Sequence, residues 1–374
     1  MNERPNALDS NGRLRSDLWI DQPSAAAEIE RRRATGEISA GEADALEHLR
    51  TYGYCVVRPA FRASLSEDLL GDVERLWRDQ PPDVAFAYQS LLTRFSGQDE
   101  RARKPSCRIA DLHAWSETAR RLYLDGEIYR FVELAFGEPA IATQSLYFQW
   151  GSQQALHRDP MHVQMERPAH LLAAWVALED ILPGSGPLMY VPGSHLLPYY
   201  QFEPGNIVHD DRRDGVDGVL RAEAWDRDHC AAAGISAQPF LARKGDVLIW
   251  HHSLLHGGST PTDPAQTRQS FVIHYSTRRH MHKVSNTYLD PFAAAPGEPP
   301  QRRVYVTDRI LEAPGATGFD SPLHVQFTEE ARRMLADGGL RLRERVAAME
   351  ASRFWRARNA WFAVKRRLGL TTEA

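Results

Sequence analysis

Between residues 141 and 282 the chain is a succession of short β-branched and aromatic runs cut by glycine and proline turns, and no other feature restricts the fold as much. The runs lie at 145–150, 171–178, 188–191, 246–250 and 270–276. Pro183-Gly184-Ser185-Gly186, Pro192-Gly193-Ser194 and Lys244-Gly245-Asp246 separate them. Many short strands with such turns suggest a β-sandwich or a closed roll. The expected class is mainly β with flanking helices: a double-stranded β-helix, that is, a cupin-like jelly roll with its core at about 141–282. Residues 198–238 interrupt the strands with a long, polar, Asp/Arg-rich insertion. It reads as an irregular lid or substrate loop.

The first 140 residues read as mostly helical. Residues 1–20 are polar and expected to fray. A helix is expected at 24–35. Ser39-Ala40-Gly41-Glu42 matches a capping box and opens another that stops near Gly53. Tyr54-Cys55-Val56-Val57 reads as a strand. Helices follow at 66–79, with Leu69, Leu70, Val73 and Leu76 at helical spacing, and at 116–136. After Pro291 a Pro/Gly-rich passage leads into further helices. The expected division is a helical extension at 1–50, a catalytic domain at 51–290 and a helical extension at 291–374. The last helix, about 351–368, sets Trp355, Trp361 and Phe362 among basic residues. Such a helix can touch an anionic membrane surface or pack its aromatics on the barrel, the reading favoured here.

The net charge of −4 offers no basic field for nucleic acid. No apolar run is long enough to span a bilayer. The first sixteen residues lack the apolar core of a signal peptide. Three well-separated cysteines, Cys55, Cys107 and Cys230, suit neither a disulfide framework nor a thiolate cluster. A cytoplasmic location is expected.

The chemistry gathers in two stretches. One is Gln154-Ala155-Leu156-His157-Arg158-Asp159; the other, nearly a hundred residues on, is His251-His252-Ser253-Leu254-Leu255-His256-Gly257-Gly258. In a strand, positions i and i+2 face the same side, so His157 and Asp159 point together while Arg158 points away. His256 completes a two-histidine, one-carboxylate triad. Such a triad leaves coordination positions open and suits non-haem Fe(II). A His-x-Asp tripeptide is weak alone; with 15 histidines and 49 acidic residues about one arises by chance. Arg268, twelve residues past His256, adds a guanidinium able to grip the far carboxylate of a dicarboxylic acid.

These residues carry a resemblance to the phytanoyl-CoA dioxygenase family of Fe(II)- and 2-oxoglutarate-dependent oxygenases. Its pieces are His157-Arg158-Asp159, Trp175 within Ala174-Trp175-Val176-Ala177-Leu178-Glu179-Asp180, and Gly186-Pro187-Leu188-Met189-Tyr190-Val191-Pro192-Gly193-Ser194-His195. Gly245-Asp246-Val247-Leu248-Ile249-Trp250, His256-Gly257-Gly258-Ser259 and Arg268 follow in order. The resemblance spans about Gly53 to Thr277. It implies iron on His157, Asp159 and His256, and the C5 carboxylate of 2-oxoglutarate on Arg268. It further implies Trp175 and Gln144 around that co-substrate, with O2 as second co-substrate. An asparagine common after the family's distal histidine is missing; Thr260-Pro261-Thr262-Asp263 forms that turn. Related halogenases carry a small residue where Asp159 stands, so oxidation is implied over halogenation.

The expected function is hydroxylation of a small polar substrate with release of succinate and CO2. A metal-binding cupin-type roll without this activity and an acyl-CoA hydroxylase are the alternatives. No Gly-rich phosphate cradle supports a CoA ester. His157-Arg158-Asp159 also has the form of a kinase catalytic loop, but Gln164 occupies the place of the metal-binding asparagine. Arg108, Asp111 and His113 are candidates for the barrel mouth. His195 reads as structural or supporting, and His162, His251 and His252 as structural histidines.

Overall fold

In the computed structural model, residues 8–58, 63–79, 85–88, 91–93, 107–110, 112–114, 116–123, 125–161, 169–209, 213–277, 288–289 and 302–303 are described. Two helices open the chain, α1 (Ala25–Ala34) and α2 (Ala40–Tyr52). The capping box forms as expected: the Glu42 amide donates to Ser39 Oγ at 3.2 Å, and the Ser39 amide to Glu42 Oε2 at 2.7 Å. Gly53 ends α2 in the left-handed region at φ 79°, which a residue with a Cβ rarely adopts. Then come β1 (Tyr54–Val57), α3 (Ala63–Asp79), β2 (Ala85–Tyr88), β3 (Leu91–Thr93) and β4 (Cys107–Ala110). α4 (Glu117–Tyr123) and α5 (Gly126–Phe136) precede β5 (Ala140–Phe148), β6 (Leu172–Ala177) and β7 (Leu188–Tyr190). α6 (Gly215–Ala233) lies before β8 (Gln238–Phe240), β9 (Val247–His251), β10 (His256–Gly258) and β11 (Ser270–Thr277).

These strands form two antiparallel sheets. The larger has the order β1-β9-β6-β11-β5-β4-β2-β3 and the smaller β10-β7-β8. This is the expected jelly roll. β6 and β11 are buried at every position because both faces of the large sheet are covered. Side-chain alternation sorts their residues. Leu172, Ala174, Val176, Ile249, Phe271, Ile273 and Tyr275 face outward, into one core with helix residues such as Leu49, Leu69 and Val132. Ala173, Trp175, Leu248, Trp250 and Val272 face inward, against Leu188, Tyr190 and Phe240 of the small sheet.

Four expectations need correction. Strands β2, β3 and β4 lie between the two expected helices, in a stretch for which no element was expected, and they extend the large sheet by pairing β4 to β5. The single helix at 116–136 is two: Asp125 caps α5, its Oδ1 accepting from the amides of Glu127 at 3.0 Å and Ile128 at 3.2 Å. The insertion at 198–238 is not irregular, since it holds the 19-residue α6. Residues 8–20 are part of the packed structure: Leu18 and Ile20 are fully buried in the helix-side core. Between them Trp19 donates from Nε1 to the Leu134 carbonyl at 3.0 Å, with Arg32 over its ring at 4.3 Å. All three cysteines are buried free thiols. No described helix is long and apolar enough to cross a membrane. The basic aromatic helix expected at 351–368 lies outside the described residues.

Because Ile20 is fully buried, Ile20→Ala should cost about 2–5 kcal/mol. A urea melt should show a lower midpoint at unchanged slope; an unmoved midpoint would mean that the N-terminal segment lies outside the cooperative unit.

Candidate metal centre

The site is assembled where the two stretches pair. The His157 amide donates to the His256 carbonyl at 2.9 Å, and the His256 amide returns the bond to His157 at 3.0 Å. This single antiparallel bridge adds residue 157 to the edge of the small sheet. Gly257 is required beside it, and Gly258 leaves room for the Ser152 side chain. A Cβ on Gly257 would stand 2.6 Å from the Gln154 carbonyl oxygen, and one on Gly258 would strike Ser152 Oγ. Segment 152–155 therefore lies flat on β10.

Asp159 reaches the site differently from the strand alternation expected for it. The chain leaves the bridge after His157, and Asp159 begins a 3₁₀ turn, Asp159–Met161. Its carboxylate still meets the two imidazoles: a ligand atom from each of His157, Asp159 and His256 falls within 4.8 Å of the others. Both histidines are oriented by carbonyls. Nδ1 of His157 lies 2.8 Å from the Ala155 oxygen, and Nδ1 of His256 lies 3.0 Å from the Leu254 oxygen. Each Nδ1–H donates there, which leaves each Nε2 lone pair for a ligand. Trp250 Nε1 donates to Asp159 Oδ2 at 2.7 Å, and Oδ1 faces His256 Nε2 at 3.5 Å and His274 Nε2 at 3.8 Å. Burial pushes the Asp159 carboxyl up, but His256, His274 and His157 outweigh it and hold the group well below the usual range. Two imidazoles that present Nε2 and a carboxylate on one side of a cavity suit a divalent ion with open positions.

That cavity has a volume of about 250 Å³. Arg268, only 2% exposed, lies on its wall with the guanidinium carbon 5.4 Å from the Phe148 ring and 5.6 Å from the Trp175 ring. Its amide is tied to the Gln149 carbonyl at 2.9 Å. No carboxylate pairs with it among the described residues, and its Nε has no hydrogen-bond partner. Burial lowers its pKa to about 10, so it remains a cation at neutral pH. Trp175 Nε1 is likewise buried without an acceptor. Gln144 on β5, paired with His274 on β11, lines the same cavity. Two buried donors without acceptors beside a metal-ligand set fit a bound carboxylic acid.

The remaining candidates divide. Arg108 is on the cavity wall, whereas His113 is buried beneath it, its Nδ1 2.6 Å from Ser145 Oγ and its ring stacked on Tyr123. His195 is structural: its Nε2 donates to the Arg50 carbonyl at 3.1 Å, and burial lowers its pKa to about 3. His251 pairs with Asp21 at 3.0 Å, and His252 is buried against His251. The turn at 260–263 packs on the 183–186 loop, with the Thr262 amide donating to the Gly184 carbonyl at 3.0 Å. Asp111, His162 and Gln164 lie outside the described residues. Sequence reasoning missed Trp250, His274 and Gln154 as parts of the site. Alternation along β11 was a usable signal for His274, which stands two residues past the inward Val272.

Arg158 points away from the ligands, as expected, and has its own role. It is 2% exposed, pairs with Asp226 on α6 at 2.8 Å and donates to the Leu197 carbonyl at 3.1 Å. The residue between two ligand positions thus ties α6 to the site. Despite Arg158, burial leaves the Asp226 carboxyl above its ordinary pKa.

Two substitutions probe this assembly. Gly257→Ala should displace segment 152–155 and weaken Co(II) binding about tenfold or more by calorimetry, as loss of a supporting contact does; unchanged affinity would refute the close approach. Asp226→Asn leaves a buried guanidinium without its charge partner and should cost about 3 kcal/mol in a denaturation midpoint.

A sequence profile described as phytanoyl-CoA dioxygenase (PhyH) matches residues 49–269, more than half of the chain. The peroxisomal phytanoyl-CoA dioxygenase of Bos taurus is 23% identical over 219 residues, 55% of this chain and 60% of that protein. The ectoine dioxygenase of Halomonas elongata is 27% identical over 229 residues, 56% of this chain and 65% of that one. The chain thus spans less than two-thirds of the length of these curated relatives. Among solved structures, the epimerase SnoN in complex with Fe3+, alpha ketoglutarate and nogalamycin RO is 21% identical with a TM-score of 0.47, covering 73% of this chain and 94% of SnoN. On the extent of the profile match, the chain belongs to the phytanoyl-CoA dioxygenase family.

Proposed function

We propose that the protein is an Fe(II)- and 2-oxoglutarate-dependent oxygenase that hydroxylates a small substrate, with residues 51–290 as its catalytic unit. One observation carries the reading: a buried arginine with no carboxylate partner among the described residues shares a cavity with a His-Asp-His set. A metal-binding roll of other function has no need of such a cation, whose burial is costly unless a ligand's charge answers it.

His157 and His256 would hold iron through Nε2 and Asp159 through Oδ1, because Oδ2 is taken by Trp250. Bound iron, with 2-oxoglutarate and O2, supplies the oxidation that releases succinate and CO2 and places one oxygen atom on the substrate. The chain's own residues position the reactants. Arg268 presents its fork to the far carboxylate of 2-oxoglutarate, and the buried N–H of Trp175 offers a further donor. Phe148, Leu188 and Val272 make the walls apolar and keep water from the reacting centre. Asp159 fills the position that a halogenase leaves to halide, which supports hydroxylation. The cavity of about 250 Å³ suits a small substrate.

Anaerobic calorimetry should show 2-oxoglutarate binding only with Fe(II) present, and aerobic incubation should yield succinate. Arg268→Met should weaken 2-oxoglutarate binding by roughly a hundredfold, the loss of a bidentate charge-assisted pair, and Arg268→Lys by less. No Fe(II)-dependent 2-oxoglutarate binding by the wild-type protein would sink the proposal.

A further inference from the structure

A line of oxidisable side chains leads from the metal ligands to the surface. Trp250 begins it. Its indole N–H donates to Asp159 Oδ2 at 2.7 Å, and its ring centroid lies 4.5 Å from that of His256. Tyr54 on β1 stands directly across the strand pair from Trp250 on β9. Side chains so paired share one face of the sheet, with Cβ atoms about 4.5–5.5 Å apart. Tyr54 packs against the inner core that holds both Trp250 and Tyr190. Its ring lies 4.6 Å from that of Tyr190 and 4.8 Å from that of His48 on α2. The His48 ring in turn lies 4.6 Å from that of Tyr52, which is 45% exposed at the end of α2.

Packing alone would be served by phenylalanine or leucine, which give up no electron to a biological oxidant. An indole and phenols hold these places instead, and they release one electron far more readily. Their polar atoms are also set for proton movement. A side-chain hydrogen bond joins the phenols of Tyr54 and Tyr190. Burial lowers the His48 pKa, so at neutral pH its imidazole is an unprotonated base beside Tyr54 and Tyr52. A phenol sheds its proton as it loses an electron, and such a base receives it.

We propose that Trp250, Tyr54 and Tyr52 form a relay that reduces the metal site from the surface when O2 is consumed with no substrate in place. The electron donor is an easily oxidised organic reductant in solution, an enediol or an arylamine. This rests on the oxygenase reading and adds a second activity to that site. 2-Oxoglutarate and O2 then yield succinate and CO2 and leave one oxygen atom still to be reduced. Trp250 passes electrons inward one at a time. It is refilled from Tyr54, Tyr54 from Tyr52, and Tyr52 from the reductant. Two electrons and two protons convert the oxygen atom to water. The protons come from the reductant or from solvent, the reductant leaves oxidised by two electrons, and every side chain ends as it began. Without the relay the oxygen atom is added to a nearby side chain, Trp250 foremost.

The test incubates full-length protein with Fe(II), 2-oxoglutarate and O2, without substrate. The donor is the arylamine-type dye ABTS, too large to enter a cavity of about 250 Å³. Wild type should form two coloured dye radicals for each succinate. Tyr52→Phe and Tyr54→Phe, neither of them in the cavity lining, should form succinate at the wild-type rate in the first turnover. Dye oxidation in both should fall severalfold, and peptide mass spectrometry should find one added oxygen atom on Trp250. With the dye omitted, freeze-quenched wild type should show a tyrosyl radical in its electron paramagnetic resonance spectrum, narrowed by ring-deuterated tyrosine and lost in Tyr54→Phe. Dye oxidation and radical unchanged in both variants overturn the relay. So does loss of first-turnover succinate in both, for the tyrosines would then serve the oxidation itself. Wild-type succinate with neither radical nor dye oxidation overturns the relay and leaves the oxygenase reading standing. No succinate from the wild-type protein removes that reading and this inference with it.

Discussion

The reciprocal backbone bridge between His157 and His256 is the contact on which the site depends. It joins segments nearly a hundred residues apart and fixes the two imidazoles with ring centroids 4.5 Å apart. Each ring is then locked by a carbonyl close by in its own segment, Ala155 for His157 and Leu254 for His256. The small residues around the bridge follow from it. Gly257 and Gly258 leave the space in which segment 152–155 rests on β10. Without that close approach Gln154 would not reach His157, and Asp159 would not turn back onto the pair.

The large sheet does the rest by being covered on both faces. Outward residues pack under the helices and the N-terminal segment, which stiffens the sheet without touching the chemistry. Inward residues make a lining that is mostly aromatic and aliphatic, with a few polar groups set into it. In so apolar a place the choice of polar groups is telling. Asp159 has a tryptophan N–H and three histidines about it. Arg268 has two aromatic rings and no carboxylate among the described residues. A group left without its counter-charge inside a protein is a cost that a ligand can relieve.

α6 shows how an insertion joins such a scaffold. It departs from the strand pattern, yet Asp226 on α6 reaches Arg158, the residue between two ligand positions. Arg158 also lies 4.3 Å over the Tyr199 ring, whose hydroxyl donates to Ser253 Oγ at 2.7 Å. The insertion, the ligand turn and the residues just before β10 are thereby one packed unit.

The family resemblance implied Trp175 and Gln144 beside the co-substrate; the sequence by itself determined the roll, most of its inward strands and the set His157, Asp159, His256 and Arg268 as neighbours of one cavity. Those are legible because alternation, turn residues and ordered motifs are local. It also placed Arg158 outside the ligand set, although by a strand geometry that Asp159 does not have. The short strands β2 to β4 were not legible, since they are too brief for a periodic signal and gain their order by pairing with β5. Nor was the burial of Leu8, Leu18 and Ile20, which depends on packing against residues far along the chain. Tertiary structure alone decided that Trp250, His274 and Gln154 stand at the metal ligands and that Arg108 shares the cavity with Arg268. The physical reason is common to all of them: each is placed by a contact between segments far apart in the chain, and no local pattern records which distant backbone will arrive there.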